Sequence, residues 1–431
     1  MENSTAVTAP RTAAKSIVSP TWEELLGSTN WEGLVEPGLE DNLRKFILQC
    51  GDLCQATYDC FNSNSISPQC GNSRHGKDTF FHDVMLENAS RYQVVSFLYA
   101  TSGSRSFFKH YFHLNDGLDS WDRVSNWMGY VAVTTDEFSK ANGRREIYVA
   151  WRGTITSSEW WSNIAGVVVP PVSAEPLFFD PTSTKVKPLF FWEAEPKIHE
   201  GWLSIYDSDN STSDYVKTSA RYQLITTIRN LREKYKNEKL SIVVTGHSLG
   251  GALATVSAFD LVQNNVAGDD VLVSAFVFAC PQVGNPVLKT RMEKHSNLKI
   301  FHVKNVHDIV PRVVGSLLWF YVPLVTTELE VDTKKSPHLK GCSISDAHNL
   351  QATLHAVAGW NGRDSQFELK VKRSLALVNK SCGLLREESR VPECWRVEKN
   401  KGMVFNDKTG EWVLDPPPSP NKMLFNKLSI N

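Results

Sequence analysis

One serine lies in a sequence that is typical of a catalytic nucleophile. Ser248 stands in the segment Gly246-His-Ser-Leu-Gly-Gly, after the apolar residues 240–245 and before a helical pattern over residues 249–263. A nucleophile at a sharp turn from strand to helix is held in a strained conformation, and glycines two positions before and after it avoid steric clashes there. An incidental serine in a glycine turn is the alternative. The flanking elements favour the nucleophile.

A serine hydroxyl needs a general base, and that base needs a carboxylate to orient it. For a serine at this kind of turn, the acid follows later in the chain and the histidine comes after the acid. Asp308 follows the predicted strand 298–306, within Asn305-Val-His-Asp-Ile-Val-Pro. We predict that Asp308 is the acid, although an isolated Asp at such a position can also cap a helix.

Three downstream histidines are candidates for the base. His348 opens a predicted helix after the loop Ser343-Ile-Ser-Asp-Ala and is the preferred base. His355 lies two helical turns later on the same face, where a packed core histidine is expected, but the sequence leaves it open as an alternative. His338, beside Pro337 in a Lys-rich loop, is predicted to be exposed.

The developing charge on an ester carbonyl oxygen needs hydrogen-bond donors that already point at it. The backbone N–H of Leu249 is one candidate, because it begins the helix after the nucleophile. Thr154 is the second, since Trp151-Arg-Gly-Thr ends the predicted strand 146–151 and Thr154 offers both an N–H and a hydroxyl. His247 and His307 flank the proposed nucleophile and acid, and we predict packing or supporting roles for them.

Strands that alternate with helices position these residues. Apolar strands followed by helices indicate α/β architecture, with a mostly parallel central sheet and helices on both faces. Residues 319–333 break this rhythm and are predicted to form a hairpin or an extended excursion. The predicted strands are 91–100, 146–151, 240–245, 271–279 and 298–306, and the predicted helices are 42–58, 218–236, 249–263, 286–295 and 348–358.

Composition and charge exclude several classes of protein. The 431 residues carry a net charge of −1, which does not supply the basic surface that nucleic-acid binding needs. The longest apolar run, residues 273–280, is too short to cross a bilayer, so no transmembrane anchor is expected. No HExxH motif, CxxC pair, phosphate-binding loop or dinucleotide fingerprint is present, so neither a metal nor a cofactor is expected.

The chain is predicted to form a single α/β domain over residues 21–415. A flexible N-terminal tail would cover residues 1–20, and Pro416-Pro-Pro-Ser-Pro opens a C-terminal tail over residues 416–431. The first 20 residues lack the apolar stretch of a secretory signal, although a short organelle-targeting segment stays possible. We therefore expect a cytoplasmic protein with reduced cysteines.

Several of these motifs resemble the class 3 (fungal-type) lipases. The similar segments are Arg152-Gly-Thr with Glu159-Trp-Trp-Ser-Asn, Gly246-His-Ser-Leu-Gly-Gly-Ala-Leu-Ala, Asn305-Val-His-Asp-Ile-Val-Pro and Ala347-His-Asn-Leu. The N-terminal segments Trp22-Glu-Glu-Leu-Leu-Gly-Ser-Thr-Asn-Trp, Leu43-Arg and Gln55-Ala-Thr-Tyr-Asp look like those of the plant class II phospholipases A1. The resemblance extends over residues 22–412.

This resemblance implies an α/β-hydrolase fold, a triad of Ser248, Asp308 and His348, and an oxyanion hole from Thr154 and Leu249. It also implies release of the fatty acid from the sn-1 position of glycerophospholipids in the cytosol. A galactolipid or neutral-glyceride lipase would use the same triad and is the first alternative. A non-catalytic, lipase-like signalling protein is the second, and the presence of every triad residue favours an enzyme.

In fungal-type lipases the helix after the oxyanion strand acts as a lid. The matching residues 158–164 contain Trp160 and Trp161, which we predict to form an apolar rim together with Phe178, Phe179, Phe190, Phe191 and Trp192. Such a rim would contact phospholipid at a membrane or micelle surface. A hairpin packed onto the body of the protein is the alternative. The sequence does not indicate an oligomeric state.

Overall fold

A computed structural model describes most of the chain. The described residues are 19–101 except 65 and 68, 126–154, 171–182, 194–312 except 214, 321–341, 343–396, 403–406 and 411–414. The strands, in chain order, are β1 Tyr92–Ala100, β2 Asn126–Thr134, β3 Arg145–Trp151, β4 Pro171–Ser173, β5 Lys197–His199, β6 Leu240–His247, β7 Val273–Phe278, β8 Leu298–Asn305, β9 Thr327–Val331, β10 Met403–Asn406 and β11 Glu411–Leu414.

A seven-stranded sheet forms the centre of the fold, in the order β1-β2-β3-β6-β7-β8-β9. Strand β2 is antiparallel to both of its neighbours, β1 and β3, and from β3 onward each strand is parallel to the next one in the sheet. The ends of β3, β6, β7 and β8 therefore meet at one edge of the sheet, so the loops that follow these strands lie close together. Two smaller two-stranded sheets are formed by β4 with β5 and by β10 with β11.

Helices cover both faces of the central sheet. They are α1 Trp22–Leu25, α2 Asp41–Cys60, α3 Phe80–Asp83, α4 Asp136–Asn142, α5 Glu200–Asp207, α6 Ala220–Lys234, α7 Leu249–Gln263, α8 Pro286–Met292, α9 Ile344–Ala347 and α10 Leu350–Ala358. Helices α5, α6 and α7 pack on one face, and α2 and α10 on the other.

Alternate residues of β3 show this arrangement directly. Val149 and Trp151 belong to the core on the α7 side, whereas Tyr148 and Ala150 belong to the core on the α2 side. Successive side chains of a strand point to opposite faces, so a strand that is apolar throughout must be buried on both sides. The predicted α/β architecture, with a mostly parallel sheet between layers of helices, is confirmed.

Helices α2 and α10 are joined closely to each other. The buried guanidinium of Arg44 in α2 donates hydrogen bonds of 2.7 Å to the carbonyl oxygens of Val357 and Trp360, at the end of α10. Near the middle of α2, the Leu354 side chain occupies the space beside Gly51, where a Cβ atom would lie 2.2 Å from Leu354 Cδ2.

The structure differs from the sequence prediction at several elements. The predicted hairpin or excursion over residues 319–333 is wrong for its later half, because β9 is an edge strand of the central sheet and runs parallel to β8. The helix predicted from His348 begins at Leu350. The Asn349 side chain caps this helix by accepting a hydrogen bond from the amide of Ala352. Strand β2 and helices α4 and α5 were not predicted.

The helices of the described residues include none with the length and apolar content needed to cross a membrane.

Candidate active site

Ser248 occupies the tight turn between β6 and α7. Its backbone has φ of +60° and ψ of −126°, a conformation that costs a non-glycine residue about 1–3 kcal/mol. Its amide donates a 2.9 Å hydrogen bond to the carbonyl oxygen of Phe278, at the end of β7. A Cβ at Gly246 would lie 2.0 Å from the Gly250 carbonyl oxygen, and one at Gly250 would lie 2.3 Å from that of Trp151. Both glycines are therefore required by the turn.

Asp308 and His348 are in direct contact, as predicted from their positions after later elements. Asp308 follows β8, and His348 lies between α9 and α10. His348 Nδ1 is 2.7 Å from Asp308 Oδ2, and the two residues are only 8% and 2% exposed. Because a carboxylate accepts, Nδ1 of His348 carries the proton in this contact. The lone pair of the neutral ring is then on Nε2, which leaves that nitrogen able to act as a base.

Asp308 is itself held by the chain that follows it. Its Oδ1 accepts a 2.9 Å hydrogen bond from the amide of Val310, while Oδ2 meets His348. One carboxylate thus accepts from a fixed backbone donor and from the imidazole, which restricts the direction in which His348 can point.

The side chain of His355 contacts Ser336 rather than Asp308. Its Nε2 is 2.8 Å from the hydroxyl of Ser336, and its ring packs against Phe367. Burial lowers the pKa of His355 to about 4, so it is neutral near pH 7. The expectation of a packed core histidine at this position is confirmed. His338, predicted to be exposed, is half-buried, because its ring packs against those of His355 and Phe367.

The segment after β3 lies against the turn that carries Ser248. Trp151 is paired with Gly246 in the parallel ladder, and a Cβ at Gly153 would lie 2.6 Å from the carbonyl oxygen of His247. The hydroxyl oxygen of Thr154 is buried and forms no hydrogen bond within the described residues. Leu249 begins α7, and the first amides of a helix point outward as donors. Both predicted oxyanion donors thus belong to elements that meet at Ser248.

Arg152 holds the segment after β3 in place through hydrogen bonds from its side chain. Its buried guanidinium donates hydrogen bonds to the carbonyl oxygens of Gly153 at 2.8 Å and Trp127 at 3.1 Å. The guanidinium carbon also lies 3.8 Å from the centre of the Phe61 ring, and this cation–π contact stabilises the positive charge of Arg152. Burial lowers the pKa of Arg152 to about 10, so it stays charged near neutral pH. Its supporting role was not predicted, although it stands within the Arg-Gly-Thr motif.

His247 and His307 have the supporting contacts expected of them. His307 Nε2 is 2.9 Å from a carboxylate oxygen of Asp332. His247 Nδ1 is 2.8 Å from the hydroxyl of Tyr58, and its Nε2 is 2.9 Å from the backbone carbonyl oxygen of His348. The contact of Tyr58 was not predicted. No spacing rule reveals it, because Tyr58 and His247 are 189 residues apart in the chain.

The predicted apolar rim is only partly described. Trp160, Trp161, Phe190, Phe191 and Trp192 lie outside the described residues. The two members that are described, Phe178 and Phe179, pack against the core on the α7 side, and the Phe178 ring lies 5.9 Å from that of Phe259. Phe178 is therefore buried in the core and not part of an exposed rim, which fits the alternative of a segment packed onto the body of the protein, whereas Phe179 is half-buried.

Metal-binding side chains do not cluster in the described part of the chain. No group of three or more His, Cys, Asp or Glu side chains there could hold an ion.

The chain is similar to known lipases over most of its length. Residues 148–317 match the family model described as lipase (class 3). Phospholipase A1-IIdelta of Arabidopsis thaliana is 50% identical over 406 residues, which cover 92% of this chain and 96% of that protein. Phospholipase A1-II 5 of Oryza sativa subsp. japonica is 44% identical over 408 residues, with 94% and 84% covered. Among solved structures, the LIP2 lipase of Yarrowia lipolytica aligns with a TM-score of 0.42 at 19% identity, over 72% of this chain and 85% of that one.

Replacing each of the two histidines by alanine distinguishes between them. We expect His348→Ala to lower the turnover of a soluble ester such as p-nitrophenyl butyrate by about 10⁴-fold or more, because it removes the imidazole that is expected to act as the general base. His355→Ala should lower the melting temperature and leave the turnover of the folded protein within a few-fold. The two rates, each divided by the folded fraction, provide the comparison. Loss of turnover in His355→Ala with retention in His348→Ala would contradict the assignment.

Proposed function

The chain belongs to the class 3 lipase family, among the plant phospholipases A1-II, and we propose from this premise that it hydrolyses the sn-1 acyl ester of glycerophospholipids. The products would be a fatty acid and a lysophospholipid. The observation that carries the chemistry is the His348–Asp308 contact of 2.7 Å beside the strained turn of Ser248. Support for the substrate is the 50% identity with a protein named phospholipase A1-IIdelta.

The first half of the reaction transfers the acyl group to the enzyme. His348 Nε2 takes the proton of the Ser248 hydroxyl, and the serine oxygen attacks the ester carbonyl carbon. The negative charge that develops on the carbonyl oxygen is stabilised by the backbone N–H of Leu249 and by Thr154. When the tetrahedral intermediate collapses, the bond to the glycerol oxygen breaks. His348 returns its proton to that oxygen, and the lysophospholipid leaves.

The second half repeats these steps with water. His348 takes a proton from water, the hydroxide oxygen attacks the acyl carbon, and the bond to the Ser248 oxygen breaks. The serine receives the proton back, and the fatty acid is released. Asp308 stays ionised throughout and stabilises the imidazolium that forms twice in each cycle.

The surroundings of His348 favour this transient positive charge. The ring of His247 lies 4.5 Å from that of His348, so a charge on both rings would be repulsive. Burial, and secondly the proximity of His348, hold the pKa of His247 well below its usual value. His247 is therefore neutral near neutral pH, and the carboxylate of Asp308 lies directly against His348.

The position of cleavage tests the proposed substrate. We expect phosphatidylcholine with palmitate at sn-1 and oleate at sn-2 to release palmitate first, and faster than galactolipid or triacylglycerol releases acid. Mass spectrometry of the acids over time provides the measurement, with Ser248→Ala as the inactive control. Release of oleate first would contradict the regiochemistry, and faster cleavage of galactolipid or triacylglycerol would support the alternative lipases. Failure of a fluorophosphonate to label the wild-type protein would support a non-catalytic role.

We also propose that Trp160 and Trp161 contact the lipid surface. Support comes from the net charge of −1, because stable electrostatic binding to anionic lipid needs clustered basic residues. Apolar contact must then provide most of the binding, and Trp side chains suit a membrane interface.

Comparing micellar with monomeric substrate tests this contact. We expect hydrolysis of diheptanoyl phosphatidylcholine to increase sharply above its critical micelle concentration. The double change Trp160→Ala and Trp161→Ala should reduce that increase and leave the rate on monomers unchanged, whereas Trp22→Ala, in helix α1, should affect neither. No increase above the critical concentration in the wild-type protein would contradict the proposal.

A cytoplasmic location is a further part of the proposal. Seven cysteines of the described residues are free thiols, a state that a reducing compartment maintains. A fluorescent protein fused to the C-terminus should give diffuse cytoplasmic signal in plant cells. Accumulation in plastids, mitochondria or the cell wall would contradict this location.

A further inference from the structure

Tyr58 reaches the active site from outside the segment that matches the lipase family model. It lies near the end of α2, whereas the matched segment begins at residue 148. Its hydroxyl is 2.8 Å from Nδ1 of His247, the neighbour of Ser248. The same hydroxyl is 3.4 Å from the carbonyl oxygen of His247, and the two rings meet edge to face at 5.8 Å. Tyr58 thus contacts His247 with both its ring and its hydroxyl.

The direction of each hydrogen bond follows from the chemistry of the groups. The backbone carbonyl oxygen of His348 can only accept, so His247 Nε2, 2.9 Å away, must donate. In a neutral imidazole the other nitrogen, Nδ1, is then an acceptor, and the hydroxyl of Tyr58 must donate to it. The result is a directed chain from the Tyr58 hydroxyl through His247 to the backbone of His348.

Burial maintains the protonation states that this chain needs. It holds the pKa of His247 well below its usual value, so the ring is neutral and keeps one donor and one acceptor nitrogen. Burial also raises the pKa of Tyr58 well above its usual value, so the hydroxyl keeps its proton. The chain therefore has a single arrangement of protons across the neutral range.

The hydroxyl of Tyr58 also lies against the segment that carries Thr154. A Cβ at Gly153 would lie 2.1 Å from this oxygen, so the backbone of Gly153 passes directly beside it. Burial raises the pKa of Tyr58, and the charge of Arg152 and then the backbone of Gly153 oppose part of that increase. Tyr58 therefore contacts two segments that lie next to Ser248. One is His247, which precedes Ser248 in the chain, and the other is Gly153, which precedes Thr154.

The backbone of His348 lies outside any helix, so hydrogen bonds from side chains must hold its position. It joins α9, which ends at Ala347, to α10, which begins at Leu350. The side chain of Asn305 donates a 2.9 Å hydrogen bond to the carbonyl oxygen of Ala347, and His247 holds the next carbonyl. Each of these two donors is itself oriented by a further group: the amide of Asn305 by Thr333, and the imidazole of His247 by Tyr58.

We propose that Tyr58 is a positioning residue for catalysis: by orienting His247, it fixes the backbone of His348 and so the aim of its Nε2 at Ser248. The inference rests on the proposed function of Ser248 and His348. Asp308 fixes the ring of His348 at one nitrogen, and the His247 chain fixes the backbone to which the ring is attached. A base whose backbone is held at a second point spends more time at the geometry of proton transfer.

Removing the Tyr58 hydroxyl tests the proposal against a matched control. Tyr130 is fully buried whereas Tyr58 is half-buried, and the Tyr130 hydroxyl donates a 2.7 Å hydrogen bond to the carbonyl oxygen of Leu53 in the same helix α2. Tyr58→Phe and Tyr130→Phe each remove one hydroxyl that donates a hydrogen bond within the protein, and the change at the more deeply buried Tyr130 should lower the melting temperature at least as much. Only Tyr58→Phe should lower kcat for p-nitrophenyl butyrate, by about 10- to 100-fold, with KM within twofold.

A double-mutant cycle tests whether the effect passes through His247. If it does, adding Tyr58→Phe to His247→Ala should change kcat by less than about twofold, because the chain is already broken. Multiplied losses in the double variant would overturn the proposal and leave a merely structural role. If His247→Ala fails to fold, equal kcat values for Tyr58→Phe and Tyr130→Phe would still overturn it.

The same assays separate this inference from the proposed function. Retention of wild-type kcat by Ser248→Ala would contradict the proposed function, whatever the result at Tyr58. An inactive Ser248→Ala together with a fully active Tyr58→Phe would overturn only the positioning role.

Discussion

The strained backbone at Ser248 is the constraint on which the rest of the site depends. A φ of +60° at a residue with a side chain is unfavourable, and it persists only where the surrounding structure leaves no alternative. Here the Ser248 amide donates a hydrogen bond to the end of β7. Gly246 and Gly250 have no Cβ, so backbone carbonyl groups can occupy the space that a side chain would need. The turn is therefore part of the parallel sheet, whose strand ends also carry the segments of Thr154 and Asp308.

The layer of helices on one face of the sheet completes what the strands begin. Helix α10 follows His348 directly, and α2 brings Tyr58 to His247. These helices are tied together by the buried Arg44, which bonds to the end of α10, and by the close contact of Gly51 with Leu354. A helix that lies far from Ser248 in the sequence is thus connected, through well-packed contacts, to the backbone of the base.

The sequence predicts those parts of the site that depend on local rules. Ser248 stands in a motif whose glycines have a steric purpose, and Asp308 follows an apolar strand, so both positions could be identified from nearby residues. His348 was harder, since His355 shares its helical pattern, and only the distances to Asp308 and Ser336 separate the two. The roles of Tyr58 and Arg152 arise from tertiary packing, which no local pattern encodes. The edge strand β9 was mistaken for an excursion, although Leu329 and Val331 are buried on its inner face.

We propose that Ser248, His348, Asp308, Leu249 and Thr154 form one acyl-transfer site. A crystal structure of the protein inactivated by a long-chain alkyl fluorophosphonate tests this most directly, because the phosphonyl group resembles the tetrahedral intermediate. On this proposal, phosphorus should be bonded to Ser248 Oγ, its oxygen should lie within about 3 Å of the Leu249 amide and a Thr154 donor, and His348 Nε2 should lie beside the serine oxygen. Attachment elsewhere, or a phosphonyl oxygen facing away from both donors, would contradict it.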